Sequence, residues 1–192
     1  MVAIIDYDAG NVRSLQFALE RLGKKSVLTA DPKQIRAAEK IIFPGQGAAG
    51  SAMKKLKQHN LDQLIPTLKQ PVLGICLGMQ LLCQSTEEDN IDGLGVLPGK
   101  VLRFSETVKV PQMGWNTIFK LQGSLLQHIK EGEFMYLVHS YYVPLLEETI
   151  AQSDYGGAYS VAVQKENFFG VQFHPEKSSK AGLQLLQNFL TL

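Results

Sequence analysis

One of the two cysteines stands at a position suited to nucleophilic chemistry. Cys76 lies in Gly-Ile-Cys-Leu-Gly at residues 74–78, between a predicted strand and a predicted helix. In a strand-turn-helix elbow, flanking glycines let the strand and the helix approach while the nucleophile stays exposed at the sheet edge. Unpaired amides at the helix start favour a thiolate there. We predict that Cys76 is a nucleophile, the alternative being a buried structural cysteine.

A histidine and a glutamate two residues apart could serve this sulfur. His174 and Glu176 lie in Phe-His-Pro-Glu at residues 173–176, at the end of an apolar strand predicted over residues 169–173. Alternate residues of a strand share a face, so the carboxylate could orient the imidazole while its other nitrogen takes the thiol proton. Each residue alone is better explained as a solvent-exposed strand end. Together with Cys76 they predict a catalytic triad.

A glycine loop could complete such a site. Gly45 and Gly47, in Pro-Gly-Gln-Gly at residues 44–47, could turn backbone amides toward a developing oxyanion, and the Leu77 amide could supply a second donor. Residues 45–50 also match the glycine pattern of dinucleotide-binding loops. That alternative is weaker, because the segment follows the third strand and no acidic residue ends a next strand about 20 positions on.

The other histidines and the single tryptophan offer less chemistry. His59 and His128 lie in polar stretches and are predicted at the surface. His139 is predicted to be a hydrogen-bonded core residue rather than a base, and a role near the site stays open as the alternative. Trp115 falls in a predicted Gly-rich loop over residues 111–116. Such a tryptophan is either an interface anchor or buried under the loop, and the sequence leaves both open.

The elements that must position these groups alternate between strand and helix in the first half of the chain. Apolar runs predict strands at residues 2–6, 26–30, 40–43 and 71–75. Helical periodicity and start signals predict helices over residues 12–22, from residue 31, over 51–69 with interruptions, and over 77–84. Continuous apolar strands between helices predict an α/β fold with a mostly parallel sheet covered on both faces.

The second half changes character. Strands are predicted at residues 96–104, 108–110, 116–121, 134–143 and 159–173, with few helices between them. They indicate an added antiparallel or mixed sheet. A last amphipathic helix over residues 179–192 is predicted to turn four apolar side chains toward the core: Leu183, Leu186, Phe189 and Leu190.

Composition narrows the class of protein. A length of 192 residues predicts one domain over residues 1–192, and a net charge of +1 gives no footprint for nucleic acid or a membrane surface. The chain start lacks a secretory pattern, which predicts a cytoplasmic protein.

Cys76 and Cys83 would lie about 10 Å apart on the predicted helix, too far for a disulfide. We expect free thiols, no metal and no cofactor.

These segments resemble the glutamine amidotransferase subunits of imidazole glycerol phosphate synthases, a branch of the class I glutamine amidotransferases. The resemblance runs nearly end to end, through residues 6–14, 44–47, 73–80, 113–116, 139–142 and 172–178. The elbow and the His-Pro-Glu segment are common to the class, whereas Met-Gly-Trp-Asn and Glu-Lys-Ser are typical of this branch. The resemblance implies a flavodoxin-like fold.

The resemblance also implies roles for named residues. Cys76 would attack the carboxamide of glutamine to form a glutamyl thioester, with His174 as general base and acid and Glu176 orienting it. Water would then release glutamate. By the same resemblance, four residues would hold the amino-acid head of glutamine: Gln80, Glu88, Ser140 and Tyr141.

A partner follows from the same resemblance. The ammonia would pass to a (β/α)8-barrel cyclase subunit in a heterodimer, where it would convert a phosphoribulosyl formimino nucleotide to imidazole glycerol phosphate and an aminoimidazole carboxamide ribotide in histidine biosynthesis. Three residues would lie near the subunit interface: Asn11, Trp115 and Lys177.

The chain departs from the usual pattern of this branch at three positions. Asp8 stands where glycine is usual, Gln46 where valine is frequent and Gln112 where histidine is common. Because the loop glycines are intact, we expect catalysis to survive. Two alternatives stay open: an amidotransferase or cysteine hydrolase of the same fold in another pathway, and a non-enzymatic flavodoxin-like module with a structural Cys76.

Overall fold

The computed structural model describes residues 1–8 and 12–192. Its strands are β1 Val2–Ile5, β2 Ser26–Thr29, β3 Lys40–Phe43, β4 Val72–Ile75, β5 Cys83–Thr86, β6 Ile91–Asp92, β7 Leu97–Arg103, β8 Gln112–Thr117, β9 Phe134–His139, β10 Tyr141–Tyr142, β11 Thr149–Asp154, β12 Ala158–Lys165 and β13 Phe168–Val171. Its helices are α1 Arg13–Arg21, α2 Pro32–Ala37, α3 Ala49–Gln58, α4 Leu61–Leu64, α5 Leu77–Leu81 and α6 Ser179–Thr191.

A seven-stranded sheet with the order β11-β12-β13-β4-β3-β1-β2 forms the centre of the molecule. The pairs among β2, β1, β3, β4 and β13 are parallel, which confirms the predicted parallel sheet. β12 and β11 extend it in antiparallel fashion. In the pairing of β4 with β13, Ile75 lies opposite Val171. Cys76 and the segment that leads to His174 therefore leave the sheet at the same edge.

Two smaller sheets lie beside the central one. A mixed sheet has the order β10-β7-β5-β6, and β8 pairs with β9 in an antiparallel ribbon. The prediction of an added mixed sheet is thus confirmed. The helix predicted over residues 77–84 is wrong at its end, because α5 stops at Leu81 and Cys83 begins β5, where it pairs with Leu97. Both cysteines are free thiols, as expected.

Several predictions about strands in the second half are wrong. Of residues 116–121, only 116 and 117 lie in a strand, and a turn at residues 166 and 167 divides the strand predicted over 159–173. Residues 111–116 were expected to form a loop, but Gln112–Thr117 is strand β8, which is paired along its whole length with β9. Residues 108–110 form no strand. Strand β11 was not predicted, because its polar residues do not form the apolar run of a buried strand. β8 depends on a partner, β9, that begins 17 residues further along the chain, which local patterns do not report.

The core lies on both faces of the central sheet. Successive residues of β1 point to opposite faces, so that Ala3 and Ile5 pack in one apolar cluster and Val2 and Ile4 in the other. α6 covers the second cluster with Leu185, Leu186 and Phe189, while Leu183 and Leu190 are only partly buried. Within the described ranges, no helix combines the length and apolar character needed to cross a bilayer.

Candidate active site

Cys76 occupies a strained turn between β4 and α5. Its backbone has φ +53° and ψ −112°, a conformation that costs a side-chain-bearing residue about 1–3 kcal/mol. The Cys76 amide donates to the carbonyl of Val171 at 2.8 Å, and the Gln80 amide donates to the Cys76 carbonyl at 3.2 Å. These bonds to β13 and α5 hold the turn, which has the form of the predicted elbow.

The glycines of the elbow are required by close backbone contacts. A Cβ atom added at Gly78 would lie 1.9 Å from the carbonyl oxygen of Phe43, and one at Gly74 would lie 2.9 Å from the backbone of Gly78. One added at Gly45 would lie 2.7 Å from the Gly78 nitrogen. The strand, the helix and the glycine loop therefore meet at distances that leave no room for a side chain, as the sequence predicted for the elbow.

His174 follows β13 and is fixed on several sides. Its amide donates to the Tyr136 carbonyl at 2.9 Å, and its carbonyl accepts from the Ser178 hydroxyl at 2.7 Å. Its Nδ1 lies 2.9 Å from Glu176 Oε1, and both side chains are buried. The strand periodicity predicted for this pair is wrong, because Pro175–Lys177 form a 3-10 turn. The turn nevertheless brings the imidazole and the carboxylate together.

The charge state of His174 follows from its two partners. Burial of the ring lowers its pKa, but hydrogen bonds to Cys76 and Glu176 and the negative charges of both groups outweigh this effect and raise the pKa of His174 to about 10. Because Nδ1 faces Glu176, Nε2 is the nitrogen left for the sulfur. Beside an ionised sulfur, the ring therefore keeps its proton at neutral pH.

A cavity of about 400 Å³ opens beside the sulfur and the imidazole. Seven further predicted site residues line it: Gly47, Leu77, Gln80, Glu88, Ser140, Tyr141 and Lys177. Gly45 and Glu176 do not, and instead line a small space of about 10 Å³ behind His174. Within residues 1–8 and 12–192, no three His, Cys, Asp or Glu side chains are grouped so that they could hold a metal ion.

Two of the predicted substrate-binding side chains already have protein partners. Gln80 Nε2 donates to the Tyr141 carbonyl at 2.8 Å and to Gln172 Oε1 at 2.9 Å, which leaves Gln80 Oε1 for a ligand. Glu88 Oε2 accepts from the Ala49 amide at 3.1 Å. Burial raises the pKa of Glu88, although the Ala49 bond opposes this effect.

The helix start beyond the glycine loop is closed to a dinucleotide phosphate. Glu88 accepts from the Ala49 amide, and Asp89 Oδ2 accepts from the Gly50 amide at 2.9 Å. In dinucleotide-binding proteins these first amides of the helix face the pyrophosphate. Two carboxylates would repel such an anion, so the structure speaks against the dinucleotide alternative.

His139 lines the cavity but is poorly suited to act as a base. Burial lowers its pKa to about 4, a hydrogen bond with the Tyr141 carbonyl opposes this effect, and the charge of His174 adds to it. Its Nδ1 lies 2.7 Å from that carbonyl. A hydrogen-bonded core histidine was predicted here and is confirmed, as is the surface exposure of His59 and His128.

An exposed apolar face leads outward from the cavity. Met113 and Trp115 of β8 and Phe134 of β9 are 67%, 52% and 55% exposed. Lys177 Nζ lies 5.8 Å above the ring of Tyr136, which pairs with Trp115 across the ribbon. We call Met113, Trp115, Phe134, Tyr136 and Lys177 the ribbon face. The alternative that Trp115 is buried is wrong, whereas Asn11 lies outside the described residues.

The three departures occupy different environments. Asp8 has φ +56°, a conformation that glycine adopts readily and aspartate tolerates. Gln112 is buried and accepts from the Tyr159 hydroxyl at 3.0 Å. Gln46 is exposed and lines the cavity.

Sequence reasoning missed groups that touch the sulfur. Gln172 Nε2 lies 3.7 Å from Cys76 Sγ, and the Val138 carbonyl lies 3.8 Å from it. Gln172 stands two positions before His174, and that alternation along an extended segment could have pointed to it. A backbone carbonyl from a separate ribbon leaves no such signal.

The comparisons with known proteins agree along the whole chain. A family model described as glutamine amidotransferase class-I matches residues 3–192. The imidazole glycerol phosphate synthase subunit HisH of Bacteroides fragilis (strain YCH46) is 50% identical over 194 residues, which cover all of this chain and 99% of the relative. The subunit of the same name from Archaeoglobus fulgidus is 45% identical over 196 residues, which cover all of this chain and 98% of that protein.

Solved structures show the same fold at low sequence identity. A structure described as a glutamine amidotransferase matches with a TM-score of 0.78 and 18% identity, covering all of this chain and 98% of that chain. PurLQS from Thermotoga maritima matches with a TM-score of 0.73 and 19% identity, covering 99% and 97%. These likenesses confirm the predicted α/β amidotransferase fold.

Proposed function

Since the chain belongs to the class I glutamine amidotransferases, and within them to the glutamine amidotransferase subunits of imidazole glycerol phosphate synthases, we propose that it hydrolyses glutamine at Cys76 and supplies the ammonia to a partner subunit in histidine biosynthesis. One observation carries the chemistry: the Cys76 sulfur and the Glu176-bound imidazole of His174 share the wall of one cavity.

The first half of the proposed reaction forms a thioester. The ionised Cys76 sulfur attacks the carboxamide carbon of glutamine, and the C–S bond forms as the carbonyl oxygen becomes an oxyanion. His174, which holds a proton in the resting site, then passes that proton to the departing nitrogen as the C–N bond breaks. Ammonia leaves, and a neutral His174 remains beside a glutamyl thioester.

The second half releases glutamate. A water molecule attacks the thioester carbon while His174 takes one of its protons, and the C–S bond breaks to give glutamate and the ionised sulfur. The protonated imidazole and the ionised sulfur are thereby restored. Glu176 holds Nδ1 of the ring throughout, and so keeps Nε2 directed at the reacting atoms.

The cavity offers groups for the two ends of glutamine. We propose that Gly47 and Leu77 supply backbone amides to the oxyanion, since both line the cavity beside Cys76, with Gly45 behind them shaping the loop. The amino-acid head would lie toward Glu88, whose carboxylate suits an ammonium group. Gln80, Ser140 and Tyr141 line the same cavity and would bind the rest of the head.

The ribbon face is proposed to contact the partner. The names of the relatives describe a subunit of a synthase, and we propose that its partner here is a (β/α)8-barrel cyclase. Trp115 and Lys177 would lie in the interface because large exposed aromatic side chains beside a cation are typical anchors. Lys177 also lines the cavity, so this face lies next to the proposed source of ammonia. Asn11 stays a prediction from the sequence.

We further propose that the 192 residues act as one domain. The family model covers nearly the full chain, and both catalytic segments leave the same central sheet. A cytoplasmic location stays a prediction from the sequence, which cell fractionation would check.

A Cys76→Ala variant tests the proposed function. We expect slow glutamine hydrolysis by the free wild-type chain, faster hydrolysis when the cyclase and its nucleotide are bound, and none by the variant in either condition. Cys83→Ala is the matched control, because Cys83 is fully buried in the core and we expect it to be dispensable for turnover. Glutamine hydrolysis by purified Cys76→Ala at the wild-type rate would refute the proposal.

A further inference from the structure

A buried chain of amides connects the far side of the cavity with the catalytic sulfur. The Tyr141 carbonyl accepts from Gln80 Nε2 at 2.8 Å, and the same Nε2 donates to Gln172 Oε1 at 2.9 Å. Gln172 Nε2 then lies 3.7 Å from Cys76 Sγ. The Gln172 side chain is fully buried.

Hydrogen bonding fixes the direction of this chain. A backbone carbonyl can only accept, so the Tyr141 carbonyl requires the NH₂ group of Gln80. That group uses its second proton for Gln172, which must therefore present its oxygen to Gln80. The NH₂ group of Gln172 is left facing the sulfur, and a buried glutamine cannot reverse its amide without breaking these bonds.

The two polar neighbours of the sulfur favour opposite ionisation states of Cys76. The Val138 carbonyl, 3.8 Å from Sγ, accepts from a neutral thiol and repels an ionised sulfur. The Gln172 amide donates, and donors stabilise the ionised form. Among the titratable side chains around them, His174 contacts the sulfur. The pKa of Tyr7 is raised, first by burial and then by the negative charge of the sulfur. Four more lie on the cavity wall: Glu88, His139, Tyr141 and Lys177.

We propose that the Gln172 amide is the hydrogen-bond donor that stabilises the ionised sulfur of Cys76, and that Gln80 positions this donor. Its action on the free sulfur is independent of the substrate. Its action during turnover rests on the proposed glutaminase function, in which the sulfur is ionised before attack and again when it leaves the thioester.

The test is the rate at which iodoacetamide alkylates Cys76 in the full chain, followed by peptide mass spectrometry between about pH 5 and pH 9. Gln172→Glu keeps the oxygen that Gln80 binds but places a second oxygen beside the sulfur. We expect alkylation near neutral pH to slow by about tenfold or more, the factor typical of losing a hydrogen bond to a charged group, and the pH profile to move to higher pH. Gln172→Met, which removes the donor without adding charge, should give a smaller change of the same sign.

Asn188→Asp is the matched control for loss of a buried amide. Asn188 Nδ2 donates to the carbonyls of Leu125 and Gln127 at 2.9 and 2.7 Å, on the far part of α6, so the variant should lose stability but keep the alkylation profile of Cys76. Alkylation of both Gln172 variants with the wild-type rate and pH profile would overturn the proposal.

A measurement on the wild-type chain covers the case in which the variants do not fold. The side-chain amide proton resonances of Gln172 should shift over the pH range in which the alkylation rate rises. Resonances that stay fixed over that range would overturn the proposal. Neither experiment uses glutamine, so both test the role of Gln172 independently of the glutaminase function. The Cys76→Ala variant tests that function separately.

Discussion

The elbow around Cys76 and the end of the glycine loop, Gln46 and Gly47, line the same cavity but are held in place by different contacts. At the elbow, an added Cβ at Gly78 would collide with the Phe43 carbonyl at 1.9 Å, whereas one at Gly47 would have no neighbour within 4 Å. The loop is tied at its ends, where Tyr7 donates to the Pro44 carbonyl at 2.7 Å and Glu88 accepts from the Ala49 amide. Its centre is exposed.

The cavity therefore has a fixed side, formed by the elbow and His174, and an adjustable side, formed by the loop around Gly47. Packing against β3 and β4 determines the position of the sulfur, and the 3-10 turn after His174 determines the position of the imidazole. Gly45 is packed against the elbow, but Gly47 has neither constraint, so this part of the loop can respond to substrate or to a partner at little cost. Substitutions on the two sides should therefore separate stability from activity.

The largest effect is expected from Gly78→Ala. The added methyl group would force α5 away from β3, and overpacking of this kind costs about 1–3 kcal/mol or more. We expect a lower urea midpoint and no measurable glutamine hydrolysis. Gly95→Ala, at a glycine with φ +67° and no neighbour for an added Cβ, is the control for backbone strain without overpacking: it should lose about 1–2 kcal/mol of stability but keep glutamine hydrolysis. An active Gly78→Ala chain of wild-type stability would remove the distinction between the two sides.

Glu176→Gln should reduce activity on the fixed side of the site by removing a charge, without changing the packing. Without the carboxylate, the imidazolium of His174 loses its partner, and we expect turnover to fall by about 10²-fold or more, the contribution typical of a general acid–base group. The test is glutamine hydrolysis at saturating substrate, with folding checked by circular dichroism. Turnover close to the wild-type rate would contradict the assigned role of Glu176.

The same variant gives a pH signature of stability. The folded-state pKa of His174, about 10, exceeds the value of about 6.5 expected in the unfolded chain. Protonation of this ring therefore stabilises the fold fully below about pH 6.5, and the contribution is lost as the pH rises toward 10. The difference in unfolding free energy between wild type and Glu176→Gln should shrink across this range.

Glu87→Gln is the control for that pH window. Glu87 lies 3.5 Å from Lys100 at the surface, and its pKa is lowered, first by a hydrogen bond from the Arg103 amide. A carboxyl group with a lowered pKa changes its charge only in acid, so this variant should show no change in relative stability between about pH 6.5 and pH 10. If the unfolding free energies of both variants followed the same pH trend, the cause would be the change in net charge and not the ion pair of His174 with Glu176.

Gly47→Ala should act on the adjustable side. The position has φ +91° with open space around it, so alanine costs about 1–2 kcal/mol in backbone strain and nothing in packing. We expect a small loss of unfolding free energy but a larger fall in turnover, because the loop amides would point differently. Equal losses in Gly47→Ala and Gly78→Ala would show that the loop is as tightly fixed as the elbow.

The smallest effect on the free chain is expected from Trp115→Ala. The indole is about half exposed on the ribbon face and its main contact there is the ring of Tyr136 across the ribbon, so the unfolding free energy should fall by about 0.2–1 kcal/mol, the range for a cross-strand aromatic pair. Association with the proposed cyclase partner, measured by calorimetry, should weaken markedly. Leu145→Ala, at another exposed apolar residue outside the ribbon face, should leave association unchanged, and a similar loss there would argue against this interface.

The parts of the fold that follow from local pattern could be predicted from the sequence. The strands before Cys76 and His174 are apolar runs, and the elbow glycines have a steric reason. Strand β8 was taken for a loop because it contains Gly114 and follows Pro111, and only its pairing with β9 makes it a strand. Strand β5 was not predicted, because Cys83, its first residue, continues the apolar periodicity of the preceding helix.

The candidate site divides in the same way. Cys76, His174 and Glu176 were predicted from residue types and spacing, although the pair of His174 and Glu176 forms through a turn rather than a strand. The bond of Glu88 to Ala49 and the contact of Gln172 with the sulfur join segments that are 39 and 96 residues apart. Such contacts depend on how the sheets pack, which residue spacing does not specify.

The most direct test of the central claim, that Cys76 is the nucleophile, is covalent labelling with an electrophilic glutamine analogue followed by peptide mass spectrometry. Burial raises the pKa of Cys83 to about 12, so this second thiol should stay unmodified. We predict one adduct per chain, on Cys76, formed in step with loss of glutamine hydrolysis and slowed by glutamine. Full loss of activity with the adduct on any other residue would contradict the account.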